Sequence, residues 1–309
     1  MFDVVCIGDA IVDIVALVER FPRLDEEVEI SRLEFHPGGA AANSASCLSK
    51  LGLKVAFVGA VGSDYFGKLL LKAFEKDGVD TSRVKVVKTP TGVVIAIVLK
   101  RTGDRVLFAF EGANTELKPS DIDFNYVLNC KAIQLNGTKL DVAVEVARMA
   151  KKQGLTVQYD PGSMYTAKGL ETLRGVIENT DILMLNRAEL SMLIPEEDLS
   201  SATFKLLELG PDIVVVKLGA EGCFVKTWEK EFRCPAYKVK PVDTTGAGDA
   251  FNSAFLYAIL RGYSLEKAAL FANATAALKI TRVGARSLPR LSEVLEFLKK
   301  QGLKQLKTK

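Results

Sequence analysis

Thr156-Val157-Gln158-Tyr159, Ile182-Leu183-Met184-Leu185 and Ile213-Val214-Val215-Val216-Lys217 are three short apolar runs. Between them lie two stretches with helical spacing, Leu170–Asn179 and Ala202–Leu209. Runs this short, β-branched and apolar read as strands buried on both faces. Their alternation with amphipathic helices is the rhythm of βαβ units, and it predicts a parallel sheet with helices on both sides. The rhythm extends toward the N-terminus. Val4–Gly8, Val55–Gly59 and Ala132–Leu135 read as strands of the same kind, and Ala40–Leu51, Gly67–Asp77 and Val142–Gln153 as helices. Beyond Lys217 the character changes, with Phe251–Arg261, Leu265–Thr281 and Leu291–Lys300 as three helices in near succession. The expectation is one α/β domain over residues 1–309: a doubly wound, mostly parallel sheet flanked by helices.

Two segments break the rhythm. Ile11–Val18 with Glu27–Phe35, and Gly92–Lys100 with Arg105–Phe110, are strand-like pairs with no helix between their members. The turn Arg101-Thr102-Gly103-Asp104 joins the second pair. They predict a small β-sheet lid from insertions at about 11–36 and 92–111. A lid beside an α/β cleft excludes water from the chemistry. Edge strands of the main sheet are the other reading.

Composition narrows the function. The 309 residues carry 41 basic and 38 acidic side chains, a net +3, too even for a nucleic-acid groove. The dense basic run Lys299–Lys309 reads as a solvated helix end. Five cysteines, with no CxxC among them, read as reduced, buried thiols of a cytoplasmic protein. No apolar run reaches the ~18 residues a membrane span needs, and no signal peptide is read at the start. His36 is the only histidine, which excludes an HExxH metal site and leaves at most one candidate for a His-based triad.

The strongest motif is Asp243-Thr244-Thr245-Gly246-Ala247-Gly248-Asp249, which leads into a helix. Its glycines let backbone amides converge beside a helix N-terminus, and that makes an anion site. An acid at the edge of such a site suits a hydroxyl that loses its proton while charge builds on phosphate. A plain Gly-rich cap with Asp249 as capping acid stays open on these residues alone. A second motif, Pro37-Gly38-Gly39-Ala40-Ala41-Ala42-Asn43, opens a helix, and Asp9 and Asp13 follow the first strand where open α/β sheets bind ligands. A carboxylate there could accept from a vicinal diol, with Asn43 completing the grip. Gly62–Lys68 has P-loop spacing, but Leu69 stands where Mg²⁺ would need a hydroxyl.

Asp243–Asp249 closely resembles the C-terminal signature of the ribokinase-like, or PfkB, carbohydrate kinases. Gly38–Asn43 resembles their N-terminal signature, Asn186-Arg187-Ala188-Glu189 their NxxE motif, and Lys217–Gly222 their nucleotide loop. All four stand in the family's order across essentially the whole chain. The resemblance implies a ribokinase-like fold with a β lid, and ATP-dependent phosphorylation of a sugar hydroxyl. Asp249 would be the catalytic base. Gly246, Ala247 and Gly248 would supply amides to the moving phosphoryl group. Asn186 and Glu189 would organise Mg²⁺ through water. Lys217, Gly219, Gly222, Gly246 and Gly248 would line the ATP site, with Asn273 near the adenine. Asp13, Gly38, Gly39, Asn43 and Asn136 would hold the substrate. Many members also bind a monovalent cation such as K⁺. Here it would lie against Asp243, Thr245, Lys279, Arg282 and Gly284, mostly through backbone oxygens.

The departures bear on the acceptor. Ala40 stands where ribokinases usually have Lys, Asn136 where they have Glu, and Ile11 where they have Asn. Neither Phe110–Asn114 nor Pro161–Tyr165 contains an arginine that could hold a sugar acid. A neutral fructose- or ribose-like sugar is expected. A nucleoside is the alternative, with Ile95, Phe108 and Phe110 as candidate base contacts, and a non-catalytic sugar or nucleotide sensor is a remote one. The expected partners are that small molecule and, through the lid sheets, a second copy of the chain, with no nucleic acid or membrane.

Overall fold

The computed structural model describes residues 1–195 and 198–303. In chain order the strands are β1 (Val4–Gly8), β2 (Ile11–Val18), β3 (Ile30–Gly38), β4 (Val55–Val58), β5 (Ala60–Gly62), β6 (Lys85–Val87), β7 (Gly92–Leu99), β8 (Arg105–Phe110), β9 (Ala132–Asn136), β10 (Thr156–Asp160), β11 (Ile182–Asn186), β12 (Ile213–Lys217), β13 (Cys223–Thr227) and β14 (Glu231–Cys234). The helices are α1 (Ala40–Lys50), α2 (Tyr65–Asp77), α3 (Phe124–Val127), α4 (Leu140–Lys152), α5 (Ser163–Thr166), α6 (Leu170–Ile177), α7 (Arg187–Leu193), α8 (Leu199–Leu207), α9 (Ala247–Leu260), α10 (Leu265–Ile280) and α11 (Leu291–Lys300). The basic run begins with Lys299 and Lys300, which close α11; residues 304–309 lie outside the described residues.

The main sheet runs β14-β13-β12-β11-β10-β9-β1-β4. All six strands expected from sequence are in it and pair parallel. Their alternation splits the core in two. Val4 and Cys6 face a cluster built with α1, α9 and α10, while Val5 and Ile7 face one built with α4, α6 and α8. That is why these strands read as continuous apolar runs. The β13–β14 hairpin adds two antiparallel strands beyond the expected six. All five cysteines are free and buried.

The second sheet, β3-β2-β7-β8, is separate from the first, so the edge-strand reading is overturned. β2 and β7 pair in parallel, and a hairpin partner flanks each. β3 begins at Ile30 instead of Glu27 and runs to Gly38, because its register pairs Gly38 with Ile11 at the base of the lid. Gly62–Lys68 is no phosphate loop. Asp64 caps α2 and accepts from Thr91, while Gly67 packs onto the Gly62 carbonyl and Lys68 is exposed. The segment anchors the start of β7.

Gly222 turns the chain from β12 into β13 at φ +96°, where a Cβ would lie 2.0 Å from the Cys234 carbonyl oxygen. Gly52 has φ +89° but open space around it. Gly222→Ala should therefore cost about 2 kcal/mol or more, and Gly52→Ala about 1 kcal/mol, in urea unfolding. Equal costs would mean that close packing around Gly222 adds nothing.

Candidate active site

The site lies at the carboxyl ends of the parallel strands. Gly8, Asn136 and Asp160 are register neighbours there, as are Asn186 and Lys217. Open α/β sheets leave a crevice at this edge. The lid covers it, and a cavity of about 880 Å³ opens between them. Asp9, Asn186, Glu189, Lys217, Gly219, Gly248 and Asp249 line one side, while Ile11, Val94, Ala109 and Phe110 line the lid side.

Asp249 stands in the first turn of α9. Gly246 caps that helix in the left-handed region, with no side-chain hydrogen bond to the free amides. Its φ is +77°, and a Cβ would meet the Ala285 carbonyl oxygen at 2.7 Å, so the loop is pressed onto the segment after α10. The amides of Gly246, Gly248 and Asp249 meet no protein acceptor among the described residues. Ala247, expected to contribute a third amide with the two glycines, instead donates to the Thr244 carbonyl at 3.1 Å. Asp249 is thus not the capping acid. Unpaired amides at a helix N-terminus attract an anion.

Burial pushes the Asp249 carboxyl up to about 7; the Asn43 hydrogen bond opposes this, and Asp160 and Asp9 reinforce it. A base with this affinity is matched to neutral pH. Asn43 Nδ2 donates to Asp249 Oδ2 at 2.8 Å, and Arg286 Nε donates to Asn43 Oδ1 at 3.3 Å. Both ends of Asn43 thus have protein partners, and the residue is buried beneath the cavity wall. Arg286 also donates to the Gly38 carbonyl. No sequence motif marks Arg286, because it sits in a loop 243 positions from its α1 partner in the chain.

The paired glycines make room for two acids. A Cβ on Gly38 would fall 2.4 Å from Asp13 Oδ2, and one on Gly39, at φ +96°, 2.6 Å from the Asp9 carbonyl. Asp9 Oδ1 accepts from Ala41 N at 3.1 Å, so Asp9 caps α1 across the chain. Burial raises both carboxyls to about 6; amides oppose it at Asp9, and His36 and Arg286 oppose it at Asp13. His36 faces Asp13 across the β2–β3 pair and bonds Glu34 at 2.9 Å. Asn136 is buried, and neither end of its amide has a protein partner among the described residues. Such a group needs water or a ligand hydroxyl.

Asn186 and Glu189 form a reciprocal cap on α7, Glu189 N to Asn186 Oδ1 at 2.9 Å and Asn186 N to Glu189 Oε2 at 2.7 Å. Burial and then Asp160 raise the Glu189 carboxyl. Lys217 bonds Asp160 and Asn252 on the cavity floor, and a Cβ on Gly248 would point to 3.6 Å from its Nζ. Burial pulls the Lys217 ammonium down, but Asp160 and Glu189 together hold it above its usual value. Like Arg286, Asp160 and Asn252 were missed by sequence reasoning. For Asp160 a signal existed: it ends a parallel strand, as Asn136 and Asn186 do. Asn273 is buried in α10 and donates to the Cys234 and Pro235 carbonyls, outside the cavity lining. Gly222 is likewise outside it.

Around Asp243 the loop closes on the end of α10. Asp243 accepts from Thr245 N at 2.9 Å and Gly284 N at 2.8 Å. Lys279 is fully buried and donates to the Asp243 carbonyl at 2.9 Å. Burial lowers its ammonium, while Asp243 and Asp249 oppose that shift. The Arg282 side chain turns away to Glu293.

Residues 1–291 match the family described as pfkB family carbohydrate kinase. An uncharacterized sugar kinase of Archaeoglobus fulgidus is 37% identical, over 79% of this chain and 98% of its own. An ATP-dependent ribose-1-phosphate kinase of Halopiger xanaduensis is 32% identical, over 93% of this chain and 94% of its own. The solved structure of Arabidopsis thaliana ribokinase complexed with ribose and ATP superposes with a TM-score of 0.89 at 32% identity, covering 96% of this chain and 99% of that one. The chain belongs to the pfkB carbohydrate kinase family.

Asp249→Asn tests the site. Turnover should fall ~10²–10⁴-fold, the usual worth of a general base. Folding raises this carboxyl from 3.8 to about 7. Between those values the folded state binds more protons than the unfolded one, so the contribution of Asp249 to stability declines as pH rises through that window. The variant should escape that decline and melt at or above the wild-type temperature at pH 8. Near-normal kcat in a folded variant would remove Asp249 from the chemistry.

Proposed function

We propose that this family member transfers the γ-phosphoryl group of ATP to a hydroxyl of a neutral, ribose- or fructose-like sugar, with Asp249 as the base. The observation that carries this reading is a carboxyl at about 7, held by Asn43 beside the unpaired amides of Gly246 and Gly248. As the acceptor hydroxyl attacks, Asp249 takes its proton and the amides stabilise the charge spread over the phosphoryl oxygens. Lys217, fixed by Asp160, adds a positive charge beside Gly248. Mg²⁺, when bound, would neutralise phosphate charge. Asn186 and Glu189 would meet it through water, and the crowding of Glu189 against Asp160 suits a nearby cation. Asp13 and the unpartnered Asn136 amide are the side chains we assign to the sugar hydroxyls. Gly219 and Gly222 shape the nucleotide loop, and Asn273 would lie near the adenine only indirectly, through the Cys234–Pro235 backbone it holds.

A nucleoside acceptor is the second reading. Val93, Val94, Ala109, Phe110 and Met164 give the cavity an apolar wall that would suit a base. Of the three lid residues first considered for that role, only Phe110 lines the cavity. Ile95 and Phe108 belong to a row with Phe35 and Ile14 across the lid, and a second row holds Leu33, Ile97 and Val106. Phe35, Leu33, Ile95, Val106 and Phe108 are exposed. Apolar rows left in water favour association, and they support a homodimer through the lids.

Coupled assays with ribose, fructose, ribose 1-phosphate, adenosine, inosine and cytidine should show ATP consumption accelerated by a neutral sugar. A response to nucleosides alone would replace the first reading with the second, and no response to any acceptor would favour a sensor. Light scattering should give twice the chain mass, and Phe108→Glu should halve it. A monomeric wild type would sink the dimer.

A further inference from the structure

The resemblance to potassium-activated kinases implies a monovalent cation against Asp243, Thr245, Lys279, Arg282 and Gly284. The residues present do not fit one. The Lys279 side chain leaves the last turn of α10 and is 0% exposed. Its Nζ lies 2.9 Å from the Asp243 carbonyl oxygen and 4.0 Å from Asp243 Oδ2. Those oxygens would have to hold the ion, and an ammonium already stands against them. Two of the other expected carbonyls are also in use. Lys279 O accepts from Arg282 N, and Gly284 O accepts from Ser287 N and Oγ. A second positive charge here would meet the first at contact distance with little water to screen it.

A fully buried lysine is costly unless its charge is paired. Here the charge sits under the one loop the chemistry needs. Asp243 braces the loop's own turn through Thr245 N, and ties it to the end of α10 and the segment beyond through its N–H on Ile280 O and through Gly284 N. We infer that the Lys279 ammonium is the built-in cation of this site: it holds the Asp243–Gly248 loop with its amides turned toward the phosphoryl group, and the protein needs no potassium ion. Lys279 is in this sense a positioning residue. An ammonium is close to K⁺ in size and charge, and as a donor with no acceptor it suits the Asp243 carbonyl oxygen it meets here. Unlike a free ion, it cannot dissociate.

The inference rests on the proposed role of the loop, so its test has a readout that needs no turnover. Wild-type protein in choline chloride is titrated with KCl at constant ionic strength, and kcat and Tm are both followed. Neither should change. Lys279→Ala should lose about tenfold or more in kcat with a smaller effect on the acceptor KM, as expected for a group that serves transition-state contacts. K⁺ or ethylammonium, but not choline, should restore part of that kcat and raise the variant's Tm. Lys279→Arg, which keeps the charge, should stay indifferent to K⁺ and serves if the alanine variant does not fold. A saturable rise of wild-type kcat or Tm with K⁺ would overturn the inference. So would wild-type turnover of Lys279→Ala in choline, or a folded Lys279→Ala whose Tm and kcat ignore K⁺ and ethylammonium. If no acceptor supports turnover, the functional proposal fails while the Tm comparison still decides the cation question.

Discussion

The bond from Asn43 to Asp249 spans 206 positions in sequence and joins the start of α1 to the start of α9. Both helices begin at glycine-rich loops, and both loops end at the carboxyl edge of the sheet. Asn43 has its other end on Arg286, so three distant parts of the chain set the direction of one carboxylate. If α1 shifted on the sheet, the Asp249 carboxylate would lose the hydrogen bond from Asn43. The fold can be read as the scaffold that keeps this contact in register.

Close approach does the rest of the positioning. Gly38 exists to let Asp13 lie against the backbone, Gly39 to let α1 start on Asp9, and Gly246 to press the anion loop onto Ala285. Each site would collide with an added Cβ. These glycines therefore serve packing, because the backbone there lies against its own support.

Charge is distributed to match. Asp9, Asp13, Asp160, Glu189, Asp243 and Asp249 crowd one end of the sheet, and Lys217, Arg286 and Lys279 are set among them. Burial raises the affinity for protons of four of these acids: Asp249 to about 7, Asp9 and Asp13 to about 6, and Glu189 as well. Asp243, wrapped by amides, is held below its usual value although burial alone would raise it. One cluster thus contains acids shifted toward holding a proton and one shifted toward keeping its charge.

The six parallel strands, the lid hairpins and the two glycine motifs were legible in the sequence, because period, β-branching and glycine spacing are local properties. Asp249 was legible for the same reason: its neighbours in sequence are also its neighbours at the helix start. Asp160, Asn252 and Arg286 were not, since their roles come from strand register and helix packing between residues up to 243 positions apart. Nor could the sequence show that Ala247 spends its amide inside the loop, or that Ile95 and Phe108 lie outside the cavity lining. The sequence points to Lys279 only as a backbone carbonyl ligand, and the tertiary structure places its buried ammonium against the Asp243 carbonyl. Sequence pattern determined which elements form and where the glycine-rich loop before α9 sits. Packing decided which charges meet there, because a side chain's partners depend on distances that no local period encodes.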